Sequence, residues 1–400
     1  MRSLRAGQRL GLTSTCVVVA VAIILLTTSS MRHGVALSVM LAAAIASIST
    51  LTMVGIREAH PVLTRAVVTV VILDVSLFAT YFFSSITNFN LAIGAAMSIV
   101  LLGLSFLTGA SGQISLGNSA FMGVGALAVA IWANHHASTP IFIVLIIAIA
   151  SGTIVGLLLG LPATRLRGPY LAGMTLAFAV AFPSIVNSFT SWTGGDAGLQ
   201  LPNAVSAPRW LSDLFGSQAS LLSVNTVWLT DITIVVTGVA FFFMANLFAS
   251  RTGRAMRLVR DNDVAAELAG VSLPRVRVIA FMVSSAYAAL GGALWTLINN
   301  SVSPPTYSLA LSITILSLVV IGGIGTLPGA LIGGIIYAYS TNVLTWFTAH
   351  AGINSQGNLA SQLPGIIFGG LLVVTMLFAP MGLVGAVRSL WSNRRRKSAT

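Results

Sequence analysis

The stretch RTGRAMRLVRDNDVAAELAGVSLP, residues 251–274, carries more charged residues than any other segment of similar length in the chain. Four arginines, at 251, 254, 257 and 260, precede the acids Asp261, Asp263 and Glu267. Long runs of Val, Phe, Leu, Ala and Gly lie on both sides of it. Because apolar runs of that length cross a bilayer as helices, the stretch predicts a polar helix held outside the membrane between two spans.

The composition indicates the same class of protein. The chain has 400 residues, of which 56% are hydrophobic and 7% charged, whereas about a quarter of the residues in an ordinary globular domain are charged. Its mean hydropathy is +0.95. We therefore predict an all-α polytopic integral membrane protein, with residues 1–400 forming one transmembrane domain. The lone Cys16 excludes an internal disulfide.

Twelve segments approach the length of about 20 mostly apolar residues that a spanning helix needs. They lie near 11–30, 35–56, 67–84, 89–108, 117–134, 140–162, 170–190, 227–249, 276–298, 309–325, 328–348 and 362–380. The segments near 117–134 and 309–325 are short and interrupted by glycine, so broken or re-entrant helices are the alternative there. The expected number of transmembrane helices is thus about 9–12.

The basic residues predict the orientation in the membrane. In a twelve-span arrangement the positive-inside bias places the basic connections, the insertion at 251–275 and both termini in the bacterial cytoplasm. The residues concerned are Arg2, Arg5, Arg9, Arg57, Arg65, Arg165, Arg167 and the basic tail at 388–400, with RRRK at 394–397. The loop 191–226 then lies outside the cytoplasmic membrane. This pattern attributes the formal charge of +12 to contact with membrane lipid and not to nucleic acid.

The charged stretch itself has start and stop signals of its own. Residues 251–269 predict one helix, and Gly270 suits the left-handed position that ends it. Ser272 and Pro274 are typical of the start of the next helix, which returns into the bilayer. We therefore expect a short polar helix, a tight turn and a new span.

The predicted polar helix combines charge pairs with an apolar stripe. Arg257 and Asp261 are spaced as an i,i+4 pair, and Arg260 is placed to reach Asp263. The stripe is formed by Met256, Val259, Val264 and Leu268. Such a stripe fits a groove on a partner protein. A solvated loop whose arginines only set the topology is the alternative.

Four stretches carry a resemblance to a known family. They are RTGRAMRLVRDNDVAAELAGVSLPRVRVIAFMVSSAYAALGGAL at 251–294, LTGASGQISLGNSAFMGVGAL at 107–127, LRGPYLAGMTLAFA and TGGDAGLQLP within 166–202, and VVIGGIGTLPGALIGG at 319–334. Together they resemble permease subunits of branched-chain amino acid ABC transporters, and in particular the longer of the two permease types.

The resemblance implies a subunit of an ATP-driven importer that pairs with a second permease subunit and with cytoplasmic ATP-binding subunits. It also implies an extracytoplasmic solute-binding protein as a partner, and a coupling role for the segment 251–270 against the ATPase. The candidate coupling residues are Arg254, Arg257, Asp261, Glu267, Ala269 and Gly270. Asn118 and Ser119 depart from the family pattern, which usually shows His or Gln after LG, so a cargo other than Leu, Ile or Val stays open.

The ATP-hydrolysing site of such an importer is expected in other chains. A P-loop needs a lysine that reaches the phosphates, and the single lysine, Lys397, lies in the basic tail. We therefore expect ATP and Mg²⁺ to be used by partner subunits, with no cofactor and no enzyme activity in this chain. The five histidines, at 33, 60, 135, 136 and 350, lack the spacing of metal ligands.

Two glycine-rich breaks between apolar segments predict the path of the cargo. The first break contributes Gly112, Gln113, Ser115, Gly117 and Asn118, and the second contributes Gly323 and Gly325. Lipid cannot satisfy the backbone groups of a break, so each break is buried in protein or lines water. Corresponding breaks in two halves of a transporter point to a central site, where helix ends suit the carboxylate of a zwitterion. Close packing through small residues is the alternative.

Asp74 is the one deep acid expected from the sequence, in the apolar run VVTVVILDVSLFATYFF. A carboxylate at that depth costs about 2.5–3.5 kcal/mol on insertion scales, so a function is the default, and a hydrogen-bonded or protonated acid between helices is the alternative. Asp74 keeps open a function of another class, an ion-coupled secondary carrier. Among ABC importers, a sister permease for urea, short amides or a sugar is the alternative.

Overall fold

A computed structural model describes residues 83–136, 140–166, 168–201 and 221–350, with isolated positions 65, 69, 73, 76, 77, 80 and 370 and the short segment 382–385. The predicted spans near 11–30 and 35–56, Asp74 and the basic tail at 388–400 lie outside the described residues. The chain divides into two compact units. Unit one comprises Met1–Ala92 and Ser206–Asn246, and unit two comprises Ile93–Val205 and Leu247–Thr400.

The described residues form α-helices almost throughout, as the sequence predicts. In chain order the helices are α1 Ser85–Ser111, α2 Asn118–His135, α3 Ile141–Ala163, α4 Pro169–Asn187, α5 Thr190–Thr193, α6 Leu221–Ala249, α7 Arg251–Asp261, α8 Asp263–Leu268, α9 Leu273–Asn299, α10 Leu309–Gly322 and α11 Leu327–His350. Five of the described helices are long and apolar enough to cross a membrane: Ser85–Ser111, Ile141–Ala163, Tyr170–Asn187, Asn225–Ala249 and Leu273–Asn299. The prediction of an all-α polytopic membrane protein is therefore confirmed.

The two segments for which broken helices were an alternative differ in the structure. Helix α2 runs unbroken through the segment predicted near 117–134, and the irregular backbone precedes it. Helix α10 ends at Gly322, and the second break lies inside the segment predicted near 309–325. The glycines inside α2 pack against neighbours instead of ending the helix, so the first of the two segments contains no break.

Unit two is centred on α9, which packs against α2 and α3. Glycines permit this approach: a Cβ atom on Gly125 of α2 would lie 2.1 Å from the carbonyl oxygen of Ala289, and one on Gly156 of α3 would strike the side chain of Ser285. Small residues at helix crossings let backbones meet closely, which is the usual basis of packing in a membrane.

Helices α3 and α9 show opposite patterns of exposure. In the most apolar 18-residue stretch of α9, 61% of the residues are buried, whereas 28% of the residues are buried in the corresponding stretch of α3. Phe142, Ile146 and Leu158 of α3 are among the exposed apolar side chains. An apolar surface of this kind is suited to lipid contact, so α3 is a boundary helix of unit two and α9 an interior one.

The motif TGGDAGLQLP builds a compact turn after α4. Residues 199–200 form strand β1, which pairs antiparallel with β2, residues 301–302. Gly198 has a φ of 72°, and a Cβ atom there would lie 2.0 Å from the carbonyl oxygen of Val302, so only glycine fits. The predicted loop 191–226 is thus structured where it starts, while its other end belongs to α6 because that helix already begins at Leu221.

Candidate coupling segment and translocation path

The charged segment consists of two helices, so the prediction of a single helix over 251–269 is wrong. The side chain of Ser250 caps α7 by accepting a hydrogen bond from the Gly253 amide at 3.2 Å. Asn262 has extended backbone angles, and its Oδ1 atom accepts from the Ala265 amide at 3.0 Å to cap α8. A short polar side chain that caps a new helix competes with continuation of the old one, which explains the break.

The turn after α8 has the predicted left-handed glycine. Gly270 has a φ of +78°, its amide donates to the Glu267 carbonyl at 2.9 Å, and the Val271 amide donates to the Ala266 carbonyl at 2.9 Å. This pair of bonds is the Schellman arrangement at the end of a helix. Helix α9 then begins at Leu273, with Pro274 in its first turn. The predicted turn between polar helix and span is confirmed.

The apolar stripe divides between the two helices. Met256 and Val259 of α7 are 0% and 4% exposed, whereas Val264 and Leu268 of α8 are 66% and 86% exposed. The predicted single stripe is therefore wrong. Helix α7 packs against the rest of unit two, and α8 presents its apolar side chains to a partner or to solvent.

The predicted charge pairs along the segment are also wrong. Arg257 donates to the carbonyl of Phe248 at 3.2 Å instead of pairing with Asp261, and Arg254 donates to the carbonyl of Ala249 at 2.9 Å. Both carbonyls lie at the C-terminal end of α6, where cations are favoured by the helix dipole. These two arginines therefore orient α7 on the end of α6.

Arg260, which the sequence analysis did not select as a coupling residue, lies across the end of α1. Its Nη1 atom donates to the carbonyl of Gly109 at 2.6 Å. Its Nη2 atom forms an ion pair with Asp261 at 2.8 Å. Gly112 leaves room for the arginine, because a Cβ atom there would lie 2.6 Å from the Cγ atom of Arg260. Arg260 therefore joins α7 to the first break.

A second ion pair connects α8 to α9. Arg277 of α9 pairs with Asp263 at 2.7 Å, with side-chain exposures of 10% and 30%, and also donates to the carbonyl of Thr164 at 3.5 Å. The spacing in the sequence instead predicts that Arg260 reaches Asp263, and this contact is not formed. A guanidinium just inside an apolar span was the signal for this pair, because a charge there needs a partner. The pair joins α8, α9 and the end of α3.

The first break runs from Gly112 to Gly117, between α1 and α2. Gly112 takes the left-handed conformation, with a φ of +70°. Backbone amides of the break and of α2 find side-chain acceptors on other helices: Leu116 donates to Thr175 Oγ1 at 3.0 Å and Ser119 to Ser312 Oγ at 3.0 Å. Gln113, Ser115 and Gly117 of the break are thus buried among helices of unit two, whereas Gly112 and Ile114 are exposed.

The second break touches the end of α1 as well. Gly323 and Gly325 have φ values of +120° and +74°, and the Gly325 amide donates to Ser105 Oγ at 2.9 Å. A Cβ atom on Gly109 would lie 2.2 Å from the Cα atom of Gly325. The second break therefore packs against Gly109 of α1, just before the first break begins, and the carbonyl of the same residue binds Arg260.

Two buried amides in the first break have unused hydrogen-bonding capacity. Gln113 is 7% exposed and Asn118 is 0% exposed, and neither amide group has a hydrogen-bond partner among the described residues. A buried polar group without a partner costs about 1–3 kcal/mol. Such groups are retained where they can bind a polar ligand.

The predicted path residues therefore separate into three groups. Gly112 and Gln113 line a cavity of about 350 Å³ together with α7 and α8. Ser115, Gly117 and Asn118 lie deeper, at the start of α2. Gly323 and Gly325 form the second break, in contact with α1.

Unit one contains an acid within a candidate span that is not among the predicted site residues. Asp231 lies in the candidate span Asn225–Ala249 and accepts a hydrogen bond from Thr80 Oγ1 at 2.9 Å. Asn88 Nδ2 donates to the Thr80 carbonyl at 2.9 Å and extends this network. The acid was overlooked because it stands near the start of the span predicted over 227–249. No group of three or more His, Cys, Asp and Glu side chains converges within the described residues.

Comparisons with known proteins identify the family. The family described as "Branched-chain amino acid transport system / permease component" matches residues 86–376. The high-affinity branched-chain amino acid transport permease LivM of Escherichia coli (strain K12) is 28% identical over 303 residues, which are 72% of this chain and 68% of LivM. LivH of Salmonella typhimurium is 25% identical over 214 residues, covering 53% of this chain and 64% of LivH. No solved structure matches.

The matched region covers well over half of the chain and includes both breaks, α7 and α8. The resemblance carried by the four quoted stretches is therefore confirmed. The chain belongs to the family of permease components of branched-chain amino acid transport systems.

Proposed function

We propose that this chain is the LivM-type permease subunit of an ATP-driven importer for branched-chain or similar small hydrophobic amino acids in the bacterial cytoplasmic membrane. ATP and Mg²⁺ are used by separate ATP-binding subunits. The transporter complex also contains a second permease subunit and an extracytoplasmic solute-binding protein. The observation that carries the proposal is the polar pair α7 and α8, which is exposed on one side and bonded to the first break on the other.

The exposed side of the pair is the docking surface for an ATP-binding subunit. Val264, Glu267 and Leu268 are all exposed on α8, and an apolar helix face rimmed by charge is suited to a groove on a partner. Gly270 fixes the angle between α8 and α9. The partly buried pair of Arg277 and Asp263 makes that corner resist bending, because separating two such charges is unfavourable. Force on α8 is therefore passed to α9.

The inner side of the pair connects the ATPase to the cargo path. Arg260 holds the carbonyl of Gly109, and Gly109 packs directly on Gly325. A displacement of α7 thus acts on both breaks at once. Closely packed elements of this kind switch between discrete arrangements rather than deform continuously.

The cargo is recognised at the first break. An amino acid zwitterion needs donors for its carboxylate and acceptors for its ammonium group, and a carboxamide supplies both. Asn118 offers such an amide, and neither of its amide atoms has a partner among the described residues. The N-terminus of α2 adds a site that favours a carboxylate.

Reconstitution of this chain with its partner subunits in lipid vesicles tests the proposal. We expect uptake of labelled leucine only with ATP and a loaded binding protein, and competition by isoleucine and valine but not by urea or a sugar. Competition by urea or a sugar alone would assign the chain to a sister importer.

One observation favours a second candidate, ion-coupled transport: Asp231 with its network to Thr80 and Asn88. Deep acids mark ion pathways in carriers. Uptake that continues without ATP and is abolished by an ionophore would support the carrier, whereas the ABC importer requires ATP and is insensitive to the ionophore.

A further inference from the structure

The cavity beside the first break has the size of a small-molecule site. Its volume is about 350 Å³, and it lies between the end of α1, the connection from α3 to α4, and the corner of α7 and α8. Sites for small ligands have volumes of about 300–1,000 Å³. The cavity therefore has room for one small organic molecule.

The polar part of the wall has balanced charge. Arg260 and Asp261 stand on one side, and Arg277 and Asp263 stand on the other, each arginine paired with its acid. A free anion would approach both acids, and a free cation both arginines. A zwitterion can place its carboxylate near a guanidinium and its ammonium group near a carboxylate, which are favourable charge-assisted contacts.

Gln113 contributes a buried side-chain amide beside the cavity. It lines the cavity, is 7% exposed, and has no hydrogen-bond partner for either amide atom among the described residues. Its carbonyl oxygen can accept from an ammonium group and its NH₂ group can donate to a carboxylate. This buried amide distinguishes the cavity from a gap between surface charges.

The rest of the wall is apolar. Ile114, Leu166, Leu171 and Val259 contribute side chains to it. Each methylene of a ligand that is buried against such a wall improves binding by about fourfold. The wall thus favours an aliphatic amino acid over glycine or serine.

We infer that this cavity binds a free aliphatic α-amino acid on the release side of the permease, and that amino acid accumulated there slows further import. The inference rests on the proposed function, since it makes the ligand the cargo itself. The ligand would contact both the coupling corner and the first break, which Arg260 joins. A ligand that binds one arrangement of these elements better than the other opposes the switch between them.

The test uses the reconstituted complex with leucine sealed inside the vesicles. We measure ATP-driven uptake and ATP hydrolysis against the internal leucine concentration, each as a ratio to the same complex in leucine-free vesicles. Internal leucine is expected to inhibit both. Internal 4-methylpentanoate, which lacks the ammonium group, and 3-methylbutylamine, which lacks the carboxylate, should need concentrations about tenfold higher or more.

Two variants locate the effect in the cavity. Leu166→Phe fills the cavity from the connection between α3 and α4, and Gln113→Leu removes the free amide; each should raise the half-inhibiting leucine concentration by about tenfold. The matched control is Leu158→Phe, a substitution of the same kind at an exposed position of α3, which should leave that concentration unchanged.

The outcomes separate the two levels of inference. No uptake into leucine-free vesicles contradicts the proposed function. Normal uptake there without any effect of internal leucine contradicts the cavity site alone. Equal inhibition by the two single-charge analogues, or an unchanged half-inhibiting concentration in both cavity variants, also overturns it.

Discussion

Helices α7 and α8 adjoin each other in the chain, but the apolar stripe is buried on α7 and exposed on α8. Met256 and Val259 of α7 are buried, whereas Val264 and Leu268 of α8 are mostly exposed. The same contrast holds for the charges: Arg260 of α7 reaches inward to Gly109, and Glu267 of α8 is exposed and makes no ion pair within the described part of the chain. Helix α7 is thus packed into the permease, whereas α8 presents the exposed face that we propose as the docking surface.

In the proposed docking role, the side that a partner would touch is separate from the side that packs against the permease, and Asn262 marks the boundary. Changes in α7 are therefore expected to affect folding or gating, and changes in α8 to affect partner binding.

Gly270→Val is expected to have the largest effect on transport. No atom lies within 4 Å of a Cβ atom at this position, so the damage comes from the φ of +78° and not from a clash. Opening this turn changes the angle of α8, and we expect ATP-driven uptake to fall by about tenfold or more. The matched control is Gly270→Asn, because asparagine tolerates the left-handed region. Equal loss in both variants would contradict a role for the turn angle.

Met256→Ala and Leu268→Ala test the contrast between the helices directly. Removing the buried Met256 side chain should cost about 2–5 kcal/mol of stability and lower the amount of permease in the membrane. Removing the exposed Leu268 side chain should leave that amount unchanged and reduce the ATPase that co-purifies. Quantitative blotting of both proteins checks this, and the reverse pattern would contradict the assignment of the two helices.

Arg260→Ala should separate docking from coupling. The variant loses the bond to Gly109, so we expect normal recovery of ATPase but uptake lowered by about fivefold, which corresponds to about 1 kcal/mol, the typical net contribution of one hydrogen bond. Arg254→Ala is the control, because that arginine binds the end of α6 and not a break. If both variants transport equally well, the link between α7 and the breaks is not used.

Glu267→Ala should have the smallest effect. An exposed side chain without an ion pair contributes within about 0.5 kcal/mol to the free energy of unfolding, so membrane abundance should not change. Loss of its charge should reduce ATPase recovery by about twofold, and more strongly at low than at high salt. Arg165→Ala, in another basic connection, is the control and should change neither quantity.

The helices and their ends could largely be predicted from the sequence because the signals are local. Gly270 ends α8 through a backbone rule that involves only its neighbours. The contacts of the site could not be predicted, because they depend on residues far apart in the chain. Arg260 and Gly109 are 151 residues apart. In the sequence, Asp261 and Asp263 are much nearer to Arg260, so they are the partners that a prediction selects. The Asn262 boundary was missed because mid-helix and capping roles of asparagine look alike until packing selects one.

A photo-crosslinking amino acid at position 268 tests most directly whether α8 docks on the ATPase. The two controls are position 158, an exposed apolar site on α3, and position 192, an exposed site beyond the far end of α4. After illumination of the assembled complex in membranes, we expect an adduct between permease and ATP-binding subunit from position 268 only. No adduct from position 268, or equal adducts from positions 268 and 192, would contradict the docking role of α8.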